Sequence, residues 1–215
     1  MKLKAVIFDA DGVVITNATR FSERYSLEFG VDYADMLSFF EGEFRQCLIG
    51  KADLKAAIQP YLAKWNWDKS AEELLEFWLM SEHHIDEQVV AYIKQLRNQG
   101  IACYLGTNQE KYRTEYMRTK MGFSEVFDDI FSSAEIGYKK PHPEFFKYIF
   151  KKLLPIAKEE IWFWDDSEES IEAAKKFGFN AELYTDFNNF KTKMHNLSVW
   201  LPPILFFLAY AIVTK

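Results

Sequence analysis

The chain has 215 residues, 49% hydrophobic and 17% aromatic, which suits one domain with a sizeable core and excludes a disordered polymer. Its formal net charge of -6, with no basic block, argues against a non-specific nucleic-acid binder, which neutralises phosphates with Lys and Arg. The two cysteines, Cys47 and Cys103, fit neither a zinc site nor a redox pair, and read as inert thiols of a reducing, cytoplasmic setting.

Met1-Lys2-Leu3-Lys4 gives way to Asp9 and Asp11 too soon for a signal peptide. Lys4 to Phe8 is apolar without alternation from Ala5 on, the pattern of a strand buried on both faces. It ends in Phe8-Asp9-Ala10-Asp11-Gly12, two carboxylates two residues apart and then a glycine. From there to Asp86 no good strand appears. The segments 19–29, 33–47, 52–64 and 71–82 read as helical, punctuated by Gly30, Gly50 and Pro60. A parallel crossover needs only about a dozen residues, so a helical module is expected between the first strand and the second.

Past Asp86 strands and helices alternate. A helix over 86–98 places Val89, Val90, Ile93 and Leu96 on one face and stops before Gly100. Strand 101–105 leads to Gly106-Thr107-Asn108 and a helix over 109–121. A weaker strand covers 129–132. Pro143 opens a helix to Lys152, where a missing N–H costs little. Strand 161–164 leads to Asp165-Asp166-Ser167 and a helix to Phe177, and 181–184 is a last short strand. The alternation predicts an α/β fold, a Rossmann-like parallel sheet covered on both faces. Residues 1–15 and 86–195 would form the core, 16–85 a helical cap, and 196–215 a hydrophobic C-terminal tail.

Ligands of open parallel sheets bind outside the carboxyl ends of the strands. The strand and helix boundaries here carry Asp9 and Asp11, then Thr107 and Asn108, then Lys139-Lys140-Pro141, then Asp165 and Asp166. Each fragment alone is ordinary cap or turn chemistry. Together they converge on one edge of one sheet. Carboxylates gathered there repel and call for a cation, and an oxygen-only donor set favours Mg²⁺. A lysine and a hydroxyl beside them suit phosphate oxygens.

In this order the fragments resemble the four motifs of the haloacid dehalogenase-like hydrolase superfamily, from about Lys4 to Phe190. Phe8-Asp9-Ala10-Asp11-Gly12 is similar to the first motif, Thr107 to the second, Lys140 before Pro141 and Pro143 to the third, and Asp165-Asp166 to the fourth. The helical module matches the position of the family's small cap, the C1 type. Many members carry Gly-Asp-x-x-x-Asp in the fourth motif; here Asp165 stands for the glycine and Ser170 for the last acid, a form found in a subset of the superfamily.

The resemblance implies Asp9 as the nucleophile that forms an aspartyl-phosphate and Asp11 as the acid/base. It implies Mg²⁺ held by Asp9, the Asp11 carbonyl and Asp166, and a phosphoryl group bound by Thr107 and Lys140 with Asn108 as helper. The implied activity is a phosphatase acting on a small phosphorylated metabolite. A dehalogenase, a phosphomutase and a non-catalytic binding protein are the alternatives, and Asp11 favours phosphate over halide chemistry within the family. Phe21, Arg45 and Lys51 are cap residues placed to meet a substrate. Adjacent His83 and His84 point to different helix faces and do not suggest a metal pair.

After Asn196 the composition changes. Residues 197–213 carry no charge, are flanked by Lys191, Lys193 and Lys215, and contain Pro202-Pro203. The stretch sits at the lower limit of about 17 residues for a bilayer span. It reads as a membrane anchor, a docking segment, or sequence foreign to the domain.

Overall fold

A computed structural model describes residues 3–16 and 20–198 of the chain. Strand β1 (Ala5–Phe8) is followed by helices α1 (Phe21–Phe29), α2 (Tyr33–Glu41), α3 (Phe44–Cys47), α4 (Leu54–Ile58) and α5 (Ala71–Ser81). Then come α6 (Glu87–Asn98), β2 (Ala102–Thr107), α7 (Lys111–Thr119), α8 (Phe123–Val126), β3 (Asp129–Ser132), α9 (Ser133–Ile136) and α10 (Pro143–Leu153). The described chain closes with β4 (Ile161–Asp165), α11 (Glu168–Phe177), β5 (Asn180–Leu183) and α12 (Phe187–Ser198).

The five strands pair in parallel in the order β3-β2-β1-β4-β5, as the alternation predicts. β1 lies at the centre, which is why all four of its residues are buried. Its pleat divides them. Val6 and Phe8 join Val89, Ile93, Leu105, Met117 and Trp164 on one face of the sheet. Ala5 and Ile7 join Phe145, Phe146, Ile149, Phe163 and Ile171 on the other. Two apolar faces per strand produce the unbroken apolar runs of the sequence. Because every strand runs the same way, Asp9, Thr107 and Asp165 emerge on one edge. Chain order reverses at β1, the topological switch point at which such sheets bind ligands.

The helical insert has its own core of Phe21, Tyr25, Phe39, Trp65, Leu74 and Trp78. Phe21 stacks on Trp78 with ring centroids 4.7 Å apart, and the Tyr25 hydroxyl donates to the Trp65 carbonyl at 2.9 Å. Its α5 opens with a capping box, Ser70 accepting from the Glu73 N–H while Glu73 accepts from the Ser70 N–H. The helix expected over 33–47 is two, divided at Gly42, whose N–H bonds back to Ser38 and Phe39. The one expected over 52–64 tightens after Ile58 into a 3₁₀ turn at Gln59–Tyr61, where Pro60 cannot supply a helical N–H. Short helices α8 and α9, and α12, were not anticipated. α8 and α9 are single turns too brief for periodicity, while α12 packs Phe190 and Met194 against the sheet.

The insert meets the core on more than one side. The Ser133 hydroxyl donates to the Leu48 carbonyl at 2.5 Å, beside Gly50. Gly50 has φ +69°, and a Cβ there would lie 2.2 Å from the Ala134 carbonyl oxygen, so the close approach requires glycine. On the far side, Asp53 at the start of α4 accepts from the Tyr112 hydroxyl of α7 at 2.8 Å and pairs with Lys111.

α12 continues through Asn196, so the tail boundary expected there falls inside a helix. The remainder of the uncharged segment, residues 199–213, lies outside the described residues. Among the described residues no helix is long and apolar enough to cross a membrane. Both cysteines are unpaired and buried, and burial, with nearby carboxylates adding to it, pushes the Cys47 thiol up to about 11 and the Cys103 thiol to about 12.

Candidate active site

The carboxyl edge of the sheet opens into a cavity of about 580 Å³, roofed by the insert and floored by Asp9, Asp11, Thr107, Asn108, Lys140, Asp165 and Asp166. Every residue expected at the site from the sequence therefore reaches one cavity. Phe21 and Arg45 line it as well; Lys51 does not.

At its base lies a buried ion-pair triad. Lys140, 3% exposed, reaches Asp9 Oδ1 at 2.8 Å and Asp165 Oδ2 at 2.6 Å through its Nζ. Its neighbour Lys139 is exposed, so the lysine adjacent to Pro141 is the one that faces the carboxylates. Burial opposes the charge on Lys140, but the attraction of Asp9 and Asp165 outweighs it and raises its pKa. Burial pushes Asp9 up to about 7; Lys140 pulls it down, and repulsion from Asp165 pushes it up again. The upward sign reflects the burial of the carboxyl, which the attraction of Lys140 does not cancel.

Asp9, Asp165 and Asp166 can each direct one oxygen into a group spanning no more than 4.8 Å. Burial, and then repulsion from Asp165, raises the Asp166 carboxyl. Such a hard, oxygen-only, underneutralised set fits a divalent cation of the Mg²⁺ type. Gly12 completes the cradle. It has φ +80°, and a Cβ on it would sit 2.1 Å from Asp166 Oδ2, so glycine alone leaves that carboxylate its place.

Asp165 enters this cluster as well, although the resemblance gives it no role at the metal. It is the last residue of β4 and 1% exposed. Its Oδ1 accepts from the Ser167 N–H at 2.9 Å while Oδ2 holds Lys140. Ser170 lines the cavity and its N–H reaches the Ser167 hydroxyl at 3.4 Å, but it brings no carboxylate to the cluster.

Asn108 is used in an unexpected way. Its side-chain N–H donates to the Lys140 carbonyl at 3.1 Å, and its Oδ1 accepts from the Lys140 N–H at 2.8 Å. The carboxamide thus clamps the main chain of the lysine. Thr107, 1% exposed, ends β2 beside it.

The Asp11 carboxylate turns away from the acidic cluster. Its Oδ1 pairs with Arg113 Nη2 at 3.0 Å, and its Oδ2 accepts from the Gln109 side chain. Arg113, 3% exposed, also reaches Glu82 at 2.8 Å, just beyond α5 of the insert. Burial raises Glu82, with Arg113 pulling the other way. A chain of charges Glu82–Arg113–Asp11 therefore joins the insert to the carboxyl edge of the sheet. None of these partners was foreseen. Lys111-Tyr112-Arg113 looks like an exposed helix start, and only the tertiary fold buries its arginine. His83 Nδ1 hydrogen-bonds the Tyr116 hydroxyl at 2.9 Å.

The chain is similar to known proteins in sequence and in fold. The chain is 33% identical over 101 residues to a sesquiterpene phosphatase of Aspergillus oryzae, a match covering 47% of this chain and 51% of that protein; the chain thus aligns with about half of that relative's length. It is 24% identical over 186 residues to a D-ribitol-5-phosphate phosphatase of Bacteroides thetaiotaomicron, over 82% of this chain and 89% of the relative. Among solved structures, a HAD family enzyme of Bacteroides thetaiotaomicron in complex with magnesium and inorganic phosphate superposes with a TM-score of 0.74 at 20% identity, covering 87% of this chain and 98% of that one. That likeness shows a shared fold. The family model for haloacid dehalogenase-like hydrolases matches residues 3–178, most of the chain, and the protein belongs to that family.

Proposed function

We propose that the protein is a Mg²⁺-dependent phosphatase that hydrolyses a small phosphate monoester through an aspartyl-phosphate on Asp9. The observation that carries this reading is the convergence of Asp9, Lys140, Thr107 and the Asp165–Asp166 pair at one sheet edge under a roofed cavity. The phosphatase relatives support it.

Asp9 and Asp166, with the Asp11 carbonyl, would hold the metal. When bound, Mg²⁺ offsets the charge between nucleophile and phosphate and stabilises charge on the transferring oxygens. An Asp9 carboxylate oxygen attacks phosphorus as the phosphorus–alcohol oxygen bond breaks, and Asp11 gives its proton to the leaving oxygen. Water then attacks the phosphorus of the acyl phosphate, Asp11 takes the proton, and inorganic phosphate leaves a regenerated Asp9. Lys140 and Thr107 bind the phosphoryl oxygens. Asn108 acts through its clamp on the Lys140 main chain, and Asp165 by orienting the Lys140 ammonium. Residues 16–85 serve as a C1-type cap that excludes water, over a core of 1–15 and 86–195. Asp11 separates this chemistry from the dehalogenase branch of the family.

The test is hydrolysis of p-nitrophenyl phosphate by the full chain. Activity should need Mg²⁺, vanish with EDTA, and vanish in Asp9→Asn. Turnover that persists in Asp9→Asn would overturn the assignment of the nucleophile.

A further inference from the structure

The cavity has two chemically different ends. Its floor is ionic, whereas the wall supplied by the insert is largely hydrocarbon. Phe40 and Phe44 pack against the insert core yet stay only half-buried, as does Leu48, and the three line the cavity together with Leu75, Trp78 and Leu79 of α5. Apolar side chains left partly open beside a site retain surface that a ligand can cover.

The polar side chains on that wall are few. Glu82 is already engaged by Arg113 at 2.8 Å and by the Phe21 N–H at 3.2 Å. Ser22 is buried, and Arg20 and Arg45 are exposed. Among its described residues the insert places no Asn, Gln, Asp, Thr, Tyr or His on the lining. A sugar or polyol enclosed there would bring more hydroxyls than Arg20, Ser22, Arg45, Glu82 and the Trp78 indole N–H can pair, and a buried hydroxyl left unpaired weakens binding. A hydrocarbon has no such requirement. The two arginines add positive charge to a cavity whose ligand arrives as an anion.

We propose that the leaving group is an apolar alcohol, so that the substrate is the monophosphate of a hydrocarbon chain rather than of a sugar. The phosphate lies on the Asp9–Lys140 floor and the chain along Phe40, Phe44, Leu48 and Trp78. This inference rests on the phosphatase reading.

It is tested on the unsubstituted full chain with Mg²⁺, comparing ethyl, butyl and octyl phosphate with ribitol 5-phosphate. Burying each methylene, worth about 0.8 kcal/mol, corresponds to roughly a fourfold gain. The expected result is a kcat/KM that climbs roughly two- to fourfold per methylene, with octyl phosphate preferred over the polyol ester. Phe44→Gln should flatten that slope, and octylphosphonate should change the tryptophan emission more than ethylphosphonate does, a difference that Trp78→Phe should reduce. If p-nitrophenyl phosphate is hydrolysed but rate is independent of chain length, or the polyol ester is preferred, the apolar assignment is overturned while the phosphatase stands. Release of phosphate from none of the esters, p-nitrophenyl phosphate included, overturns both.

Discussion

Replacing Lys140 by Met keeps most of the side chain's volume and removes its charge. Asp9 and Asp165 would then face each other with no counter-charge, Asp165 at 1% exposure. At an effective dielectric constant of ~20, each contact at 2.6–2.8 Å represents roughly 6 kcal/mol of attraction before desolvation. Desolvating the three ions takes back several kcal/mol apiece, so the net worth of the triad is much smaller than the sum of its contacts. Removing one partner is a different matter, because it leaves the others buried and unpaired; that costs about 3–5 kcal/mol, against a total stability of roughly 5–15 kcal/mol for such a domain. Urea denaturation in EDTA at neutral pH measures it, through a lowered midpoint at unchanged slope. The double variant Lys140→Met, Asp165→Asn should recover a substantial part of the loss, since it removes one of the stranded charges. A single-variant loss below about 1 kcal/mol, or a double variant no more stable than the single, would refute the buried triad.

Gly12→Ala would strain a backbone at φ +80°, by about 1–2 kcal/mol, and drive a methyl into Asp166. Mg²⁺ affinity measured by calorimetry should fall by about 10–100-fold, the range seen when support for a metal ligand is lost; unchanged affinity would remove Asp166 from the ligand set. At the junction of insert and core, the hydrogen bond from Lys111, opposed by some burial and aided by Tyr112, lowers Asp53 from 3.8 to about 2. A depressed carboxyl stabilises the fold above its ordinary value and loses that contribution as pH falls through its folded value, here from about 4 down to about 2. Carboxyl NMR titration should place the Asp53 midpoint near 2, and a midpoint at 3.8 would show that this link between insert and core is open in solution.

The sheet was legible because burial on both faces writes itself into sequence as unbroken apolar runs, and β1 with Asp9 at its end is the clearest of them. Thr107, Lys140 and Asp166 were legible because each stands at a boundary between elements, where the parallel order brings chain-distant residues to one edge. What escaped was pairing. Nothing local in Asp165 reveals that it grips Lys140, and nothing in Arg113 that it sits between Asp11 and Glu82. These contacts join positions up to 102 residues apart. Asn108 shows the same limit: its identity was legible, but its use as a clamp on the Lys140 main chain belongs to the tertiary fold. In the insert, Gly42 and Pro60 divided helices that apolar spacing alone would have continued.

The account depends most on Asp9 carrying the phosphoryl group. Quenching the full chain during turnover of p-nitrophenyl phosphate with borohydride reduces an acyl phosphate to the alcohol, which peptide mass spectrometry locates. Asp9 as nucleophile predicts homoserine at position 9, dependent on both substrate and Mg²⁺. Active turnover with position 9 unmodified, or with the label on another carboxylate, would contradict it.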